Sequence, residues 1–303
     1  MRIDFHCHVF ENVVKLDVMK RLFNIFEGYG FYERMLKKIE GITSIETTDI
    51  IEKTLHHIKK AKLDKVVLLP VTAKENQLVK KWVDAAPDIF IPFYNPPEKS
   101  TNQLDIIGKM EKDIQEFNYK GLKIMLSFRN KQLNDKLLHP ILEFAQDHKL
   151  VVLIHTGWPP PGTKRTVLTY SNPIDMEIYY NSFPKVNFVI AHMGFPFSDI
   201  AISLVTQYPN LYLDISNLTY MAPYKLKNLL LEAKDIIGTH KILFGTDGFI
   251  PEMIEIAINF FNDVNYLSKE DLDKILGLNA AKLLSIKSSQ NDSNLYQFYG
   301  KQI

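Results

Sequence analysis

Nine histidines are spread along the 303-residue chain. Four of them, with one aspartate, share a kind of place: the carboxyl end of a short apolar run. His6 and His8 close RIDFHCH, His155 closes LVVLIH, His192 closes VNFVIAH and Asp247 closes KILFGTD. The spacing of the first pair has a geometric meaning. Side chains alternate along a strand, so His6 and His8 project to one side and Cys7 to the other. Two imidazoles on one side can grip one cation. Imidazole suits Zn, Fe, Ni and Cu, and an added carboxylate tolerates Mn. A third histidine and an aspartate would complete a site with room for water, as a catalytic metal needs. Each residue alone has an ordinary explanation. A strand-end histidine can be a hydrogen-bonded core residue, and Asp247 can cap a turn. What carries the metal-site reading is that all five sit at the same end of their runs.

The remaining histidines do not share that placement. His56 and His57 fall in a helical stretch and are expected on a solvated face. His139 precedes Pro140 near a helix start. His148 sits near a helix end, where a cation favours the dipole. His240 precedes the last strand, at the opposite end from the site. Cys7 is the single cysteine, so no disulfide framework forms within the chain. It is expected to pack outward against a helix, as core rather than nucleophile.

Eight short runs must position these residues: Arg2–His8, Lys65–Val71, Ile89–Tyr94, Gly121–Leu126, Leu150–His155, Val186–His192, Leu211–Ser216 and Lys241–Asp247. Several are apolar on both faces, the mark of parallel strands covered by helices. Between them, Lys74–Ala86, Thr101–Phe117, Lys136–Lys149 and Tyr224–Ile237 place apolar residues at helical spacing. Ser268 with Asp271 three residues on reads as a helix start. Eight strand–helix units predict an α/β fold, a closed (β/α)8 TIM barrel. An open doubly wound sheet is the rival, but no glycine-rich phosphate turn follows the first strand. The interval 9–64 is too long for a simple crossover. Its helical patterns near Val13–Phe26, Phe31–Ile39 and Ile50–Ala61 predict an insertion after strand 1, on the face where barrel active sites lie. Trp158–Pro173 is a long proline-rich loop after strand 5. The tail 287–303 is polar and expected to be peripheral, so the whole chain, 1–303, reads as one domain.

Composition narrows the function classes. Hydrophobic residues make up 46% and charged residues 23%, ordinary globular values. The net charge of +1 lacks the basic excess of a nucleic-acid protein. No apolar run reaches the ~18 residues of a membrane span, and MRIDFHCH reads as a strand rather than a signal peptide. The expectation is a cytoplasmic protein acting on a small molecule, with neither nucleic acid nor membrane as partner; a homodimer is the expected assembly, if any.

The chain resembles the amidohydrolase superfamily, and within it the amidohydrolase-related branch that includes several decarboxylases. The resemblance rests on IDFHCH (3–8), GLKI (121–124), VLIHTG (152–157), VIAHMG (189–194), LDIS (213–216), FGTDG (244–248) and GLNAAKLL (277–284), in family order. It implies metal ligands His6, His8, His155 and Asp247, with His192 either a further ligand or the group that polarises water or substrate. Asp247 and His192 are thereby the catalytic candidates. Binuclear relatives use a carbamylated lysine on strand 4. Lys123 lies there, but Ile124-Met125-Leu126 replaces the His-Pro that often follows in mononuclear relatives. One divalent metal is expected, Zn²⁺ first and Mn²⁺ second. Three readings stand side by side. In hydrolysis, Asp247 takes a proton from water while His192 steadies the oxyanion. In non-oxidative decarboxylation, the same residues protonate carbon. A barrel that binds without catalysis would need a missing ligand. For the substrate, Trp158, Phe93, Tyr94 and Phe249 are candidates for an apolar pocket. Lys164, Arg165, Arg21 and Arg34 could pair with a carboxylate; Trp158, Arg165 and Tyr94 are the residues singled out.

Overall fold

The structure is a computed structural model that describes residues 1–97, 103–158 and 167–287. Eight strands form one sheet in chain order, each parallel to the next: β1 (Ile3–His8), β2 (Lys65–Leu69), β3 (Phe90–Tyr94), β4 (Gly121–Ile124), β5 (Val151–Ile154), β6 (Phe188–Ile190), β7 (Leu211–Asp214) and β8 (Ile242–Leu243). The barrel closes through single bonds rather than a ladder. Phe5 N–H donates to the Phe244 carbonyl at 2.8 Å, and Asp247 N–H donates to the His6 carbonyl at 2.7 Å. This is the (β/α)8 arrangement expected from the alternating pattern.

Helices α1 (Leu16–Leu22), α2 (Gly30–Glu40) and α3 (Ile50–Lys60) follow β1 and form the inserted segment. Around the barrel run α4 (Asn76–Ala85), α5 (Gln103–Glu116), α6 (Leu138–Asp147), α7 (Glu177–Ser182) and α8 (Ser198–Gln207). After β7 come the short α9 (Leu218–Met221) and the long α10 (Pro223–Ile237). The last are α11 (Met253–Asn259), α12 (Lys269–Asp273) and α13 (Asn279–Leu283). Ser268 caps α12 in a reciprocal box with Asp271, as its spacing predicts. Among the described residues, no helix is long and apolar enough to cross a membrane.

Apolar side chains divide into layers that follow strand alternation. Phe5, Val67, Phe93, Leu153, Val189 and Leu243 fill the barrel interior. Their neighbours Val66, Leu68, Val152, Phe188 and Leu213 face outward and pack beneath the helices. A third cluster joins Met19, Tyr32, Met35 and Ile39 of the insertion to Tyr220, Ile250 and Met253 beyond β7 and β8. The insertion is thus packed onto the carboxyl-end loops of the barrel.

Two local devices decide where the histidines point. Counting from the inward-facing Ile3 and Phe5, alternation would turn Cys7 inward and His6 and His8 outward. The β1–β2 register shifts between Asp4 and Cys7, where three steps on β1 match two on β2. One extra residue reverses the phase, so His8 opposes the inward Leu69 and Cys7 opposes the outward Leu68. The expected division, both histidines in and Cys7 out, holds because of that bulge. The second device is β8. It spans only Ile242–Leu243 rather than Lys241–Asp247, because the chain leaves the ladder at Phe244 to bond β1. Gly245 permits this close approach. A Cβ there would stand 2.6 Å from the Cβ of His6 and 3.0 Å from that of Ser216. Gly245→Ala is therefore expected to cost ~1–3 kcal/mol, read as a melting midpoint several degrees lower. An unshifted melt would show that β1 can yield at no cost.

Candidate metal centre

His155 and His192 lie one and two residues past their strands. Alternation brings His155 inward directly. It cannot do so for His192, because the inward positions of β6 are Val189 and Ala191. The backbone corrects this: His192 and Met193 are left-handed, at φ 56° and 48°. Asn217 (φ 55°) and Asp247 (φ 52°) adopt the same uncommon conformation. Each left-handed non-glycine residue costs of order 1 kcal/mol or more, and such residues gather at functional sites. Here three of them meet. Asn217 Nδ2 lies 3.0 Å from Asp247 Oδ2 and 3.2 Å from His192 Nδ1.

The hydrogen bonds on the outer side of each ring define what its inner side offers. The Ser216 hydroxyl donates to the Asp214 carboxylate, so its oxygen is free to accept. His6 Nδ1 donates to Asp214 Oδ2 at 2.8 Å. His8 Nδ1 donates to the Leu69 carbonyl at 2.8 Å. His155 Nε2 donates to the Trp158 carbonyl at 3.1 Å. His192 Nδ1 donates to the Ser216 oxygen at 2.8 Å. These tautomers are assigned from the acceptors, which have no proton to give in return. Each ring then turns a lone pair inward. His8 Nε2 stands 2.8 Å and His6 Nε2 3.3 Å from Asp247 Oδ1. His155 Nδ1 and His192 Nε2 face each other at 3.4 Å. At such distances these nitrogens and the carboxylate need a proton or a cation between them, and the buried Lys123 Nζ, 3.1 Å from His6 Nε2, is the one cationic side chain the described floor supplies. His6, His192 and Asp247 each bring one ligand atom within 4.8 Å of the others. The donor set fits a divalent cation, and the outer oxygens are the partners that orient ligating imidazoles.

Titration preferences agree. Burial, then the neighbouring His192 and Lys123, holds His155 well below the imidazole range. Burial lowers His192 to about 4. Both rings are neutral at pH 7, the form that binds metal. Burial pushes the Asp247 carboxyl up, but the neighbouring His192 and His6, and then the close contacts of the His6 and His8 rings, hold it well below its usual range. His6 moves the other way: burial and Lys123 depress it, while Asp214 and Asp247 raise it overall. Lys123 sits fully buried on the floor, its Nζ 3.1 Å from His6 Nε2. Burial lowers its ammonium to about 8.

These shifts predict an acid-sensitive fold. A histidine whose folded pKa lies below its unfolded 6.5 is protonated first in the unfolded chain, so stability falls as pH falls. His155, His192 and His57 all act in that sense, and so do the depressed carboxyls of Asp214 and Asp247. The raised His6 opposes them, and so do the carboxyls of Asp4, pushed up to about 6 by burial, and Asp175, also raised by burial. The metal-free protein is expected to melt progressively lower from pH 6.5 toward about 4. Thermal scans in chelator check this; a midpoint that holds or rises on acidification would contradict it.

The centre forms the floor of a cavity of about 680 Å³. His8, His155, His192 and Asp247 open onto it. Its walls are aromatic: Phe128, Trp158 and Phe195 on one side, Phe26, Tyr29 and Phe31 of the insertion on another. Trp158 stands at the opening, 44% exposed, its ring 5.1 Å from that of Phe195. Phe249 also lines the wall. Two expected wall residues do not. Tyr94 faces outward among the helices, donating to Asp113 Oδ2 at 2.7 Å, because strand alternation sets it opposite to Phe93. Phe93 does point inward but lies in the apolar barrel core below the floor. Lys164 and Arg165 lie outside the described residues. Arg21 pairs with Asp17 at the surface, and Arg34 bonds the Tyr220 and Met221 carbonyls. His57 is not solvated as expected. It is buried, bonded to Glu255 at 2.5 Å and to Ser44 at 2.8 Å, pinning α3 to α11.

The profile of the family described as Amidohydrolase matches residues 3–286. The chain belongs to the amidohydrolase family. A curated relative, Protein fluG of Emericella nidulans, is 30% identical over 141 residues, 44% of this amidohydrolase and 16% of that protein. The matched region is therefore a small part of that relative's length. Among solved structures, a TIM-barrel protein of Bordetella bronchiseptica, Bb4693, is similar with a TM-score of 0.70 at 20% identity, covering 94% of this chain and 98% of that one. A dihydroxybenzoic acid decarboxylase from Polaromonas sp. JS666, solved with manganese and 2-nitroresorcinol, is similar at 16% identity and a TM-score of 0.63, covering 96% and 99%. At these identities the structural likeness speaks for the barrel.

Asn217, Asp214 and Ser216 contact the candidate ligands, and reasoning from single strand ends missed them. Asp214 and Ser216 lie in the LDIS run, but their role depends on reaching across to β1 and β6. Asp214 Oδ1 also accepts the main-chain N–H groups of His192 and Ser216.

Proposed function

We propose that this amidohydrolase uses one divalent cation, Zn²⁺ first and Mn²⁺ as alternative, to hydrolyse a small molecule with a flat apolar body. The observation that carries the reading is Asp247. It is a carboxylate held between two imidazoles and an amide, at the floor of an aromatic cavity. His6, His8, His155, His192 and Asp247 would hold the cation. When bound, such an ion polarises a substrate oxygen and lowers the pKa of water toward ~7.

The chain's own residues supply the rest. Asn217 fixes Asp247 Oδ2, which leaves that carboxylate oriented to take a proton from an attacking water and return it to the leaving group. Its depressed pKa favours the return. The aromatic walls exclude bulk water and orient a ring or other planar group above the floor. Among the described lining residues there is no lysine or arginine. Lys164 and Arg165, the candidates for pairing with a substrate carboxylate, lie outside the described residues.

Non-oxidative decarboxylation is the second reading, favoured by the aromatic lining. In it Asp247 delivers a proton to ring carbon. A panel of aryl lactones, aryl amides and hydroxybenzoic acids separates the two. Hydrolysis predicts acid formation from the first two with no carbon dioxide. Carbon dioxide from the acids, with lactones and amides untouched, would overturn hydrolysis in favour of the second reading.

A further inference from the structure

A second cavity, of about 650 Å³, lies between α2, the first turns of α10 and the end of α11 with the segment that follows it. Arg34, Lys37 and Lys38 of α2 and Lys227 of α10 line it, against one carboxylate, Asp263. That is a local excess of three positive charges on a chain whose net charge is +1. Among the described residues none of these four cations is in an ion pair. Arg34 spends its donors on main-chain carbonyls, and Lys227 lies 5.3 Å over the ring of Tyr266. Lys38 is held below the usual lysine range by burial and then by the charge of Arg34. α10 begins at this cavity with Pro223 in its first turn and no side-chain cap, which leaves its leading amides open to an anion. Tyr224, 84% exposed, lines the wall.

We propose that this groove is a binding site for a phosphate-bearing small molecule with a planar ring, of the nucleoside monophosphate class. The lysines and the start of α10 would take the phosphate, and Tyr224 the ring face. The groove is separate from the metal centre but touches its wall. Arg34 holds the Tyr220 and Met221 carbonyls, and Tyr220 Oη donates to the Asp247 carbonyl at 2.9 Å. Arg34 is therefore left unaltered in the test, since its loss would disturb the cavity as well.

The test is calorimetric titration of the metal-loaded full chain with AMP, with inorganic phosphate and adenosine run alongside. The comparison protein is the double variant Lys38→Gln/Lys227→Gln, whose melt and metal content are checked first. Saturable AMP binding is expected, tighter than that of phosphate or adenosine and weakened about tenfold or more in the double variant. It is also expected to weaken as salt rises from about 50 to about 500 mM. Absence of saturable AMP binding would overturn the proposal. So would equal affinity in wild type and variant, because AMP would then be held at the metal. A Tyr224→Ala variant tests the ring: phosphate binding should persist while the advantage of AMP over phosphate is lost. An undiminished advantage would refute the stacking face.

Discussion

Asp247→Asn is expected to lower kcat by roughly a thousandfold or more while the fold survives and part of the metal affinity remains. The amide keeps the size of the carboxylate and can still offer one oxygen toward His8 and His6, so the barrel closure at residues 244–247 is not disturbed. What it cannot do is take and return a proton. Its lost charge also removes the attraction that the surrounding imidazoles and any cation feel. Steady-state kinetics with metal content and a thermal melt on the same preparation separate these effects. A variant that folds, holds metal and turns over within tenfold of wild type would remove Asp247 from the chemistry. The neighbouring Asn217→Ala should act more mildly, because it frees Asp247 Oδ2 without deleting it.

Removing the cation is expected to abolish turnover and to lower the melting midpoint, with both restored by Zn²⁺ or Mn²⁺. The reason is the donor geometry. Two imidazole nitrogens face Asp247 Oδ1 at 2.8 and 3.3 Å, and two others face each other at 3.4 Å, inside a largely buried floor. The folded chain alone brings these donor atoms together, so the binding energy of a cation there adds to stability. At a thousandfold excess over Kd that contribution is about 4 kcal/mol. Dialysis against a strong chelator, followed by activity and melting measurements before and after metal return, checks it. Full activity in chelated protein would contradict the metal's role.

Much of this was legible in the sequence, for a physical reason. Parallel strands under helices must be apolar on both faces, so eight runs stand out, and a barrel gathers their carboxyl ends at one mouth. That alone brought His6, His8, His155, His192 and Asp247 together. The parts that were not legible depend on backbone irregularities. The bulge in β1 and the left-handed turns at His192, Asn217 and Asp247 leave no periodic trace, and no glycine marks those three positions. Tyr94 faces the helices rather than the cavity, and its strand, apolar on both sides, carries no pattern that says which face is inward. His57 was misplaced because its partner, Glu255, lies 198 residues away; a helix surface read in isolation cannot reveal what will cover it.

Four imidazoles and a carboxylate at the barrel mouth are proposed to form one cation site. Metal analysis with X-ray absorption on protein reconstituted with Zn²⁺ or Mn²⁺ tests it most directly. The expected result is about one cation per chain, in a shell dominated by nitrogen with at least one oxygen. That cation should be lost when His6→Ala and Asp247→Ala are combined. A reconstituted wild-type chain that retains no cation, or one whose cation survives that double substitution, would contradict it.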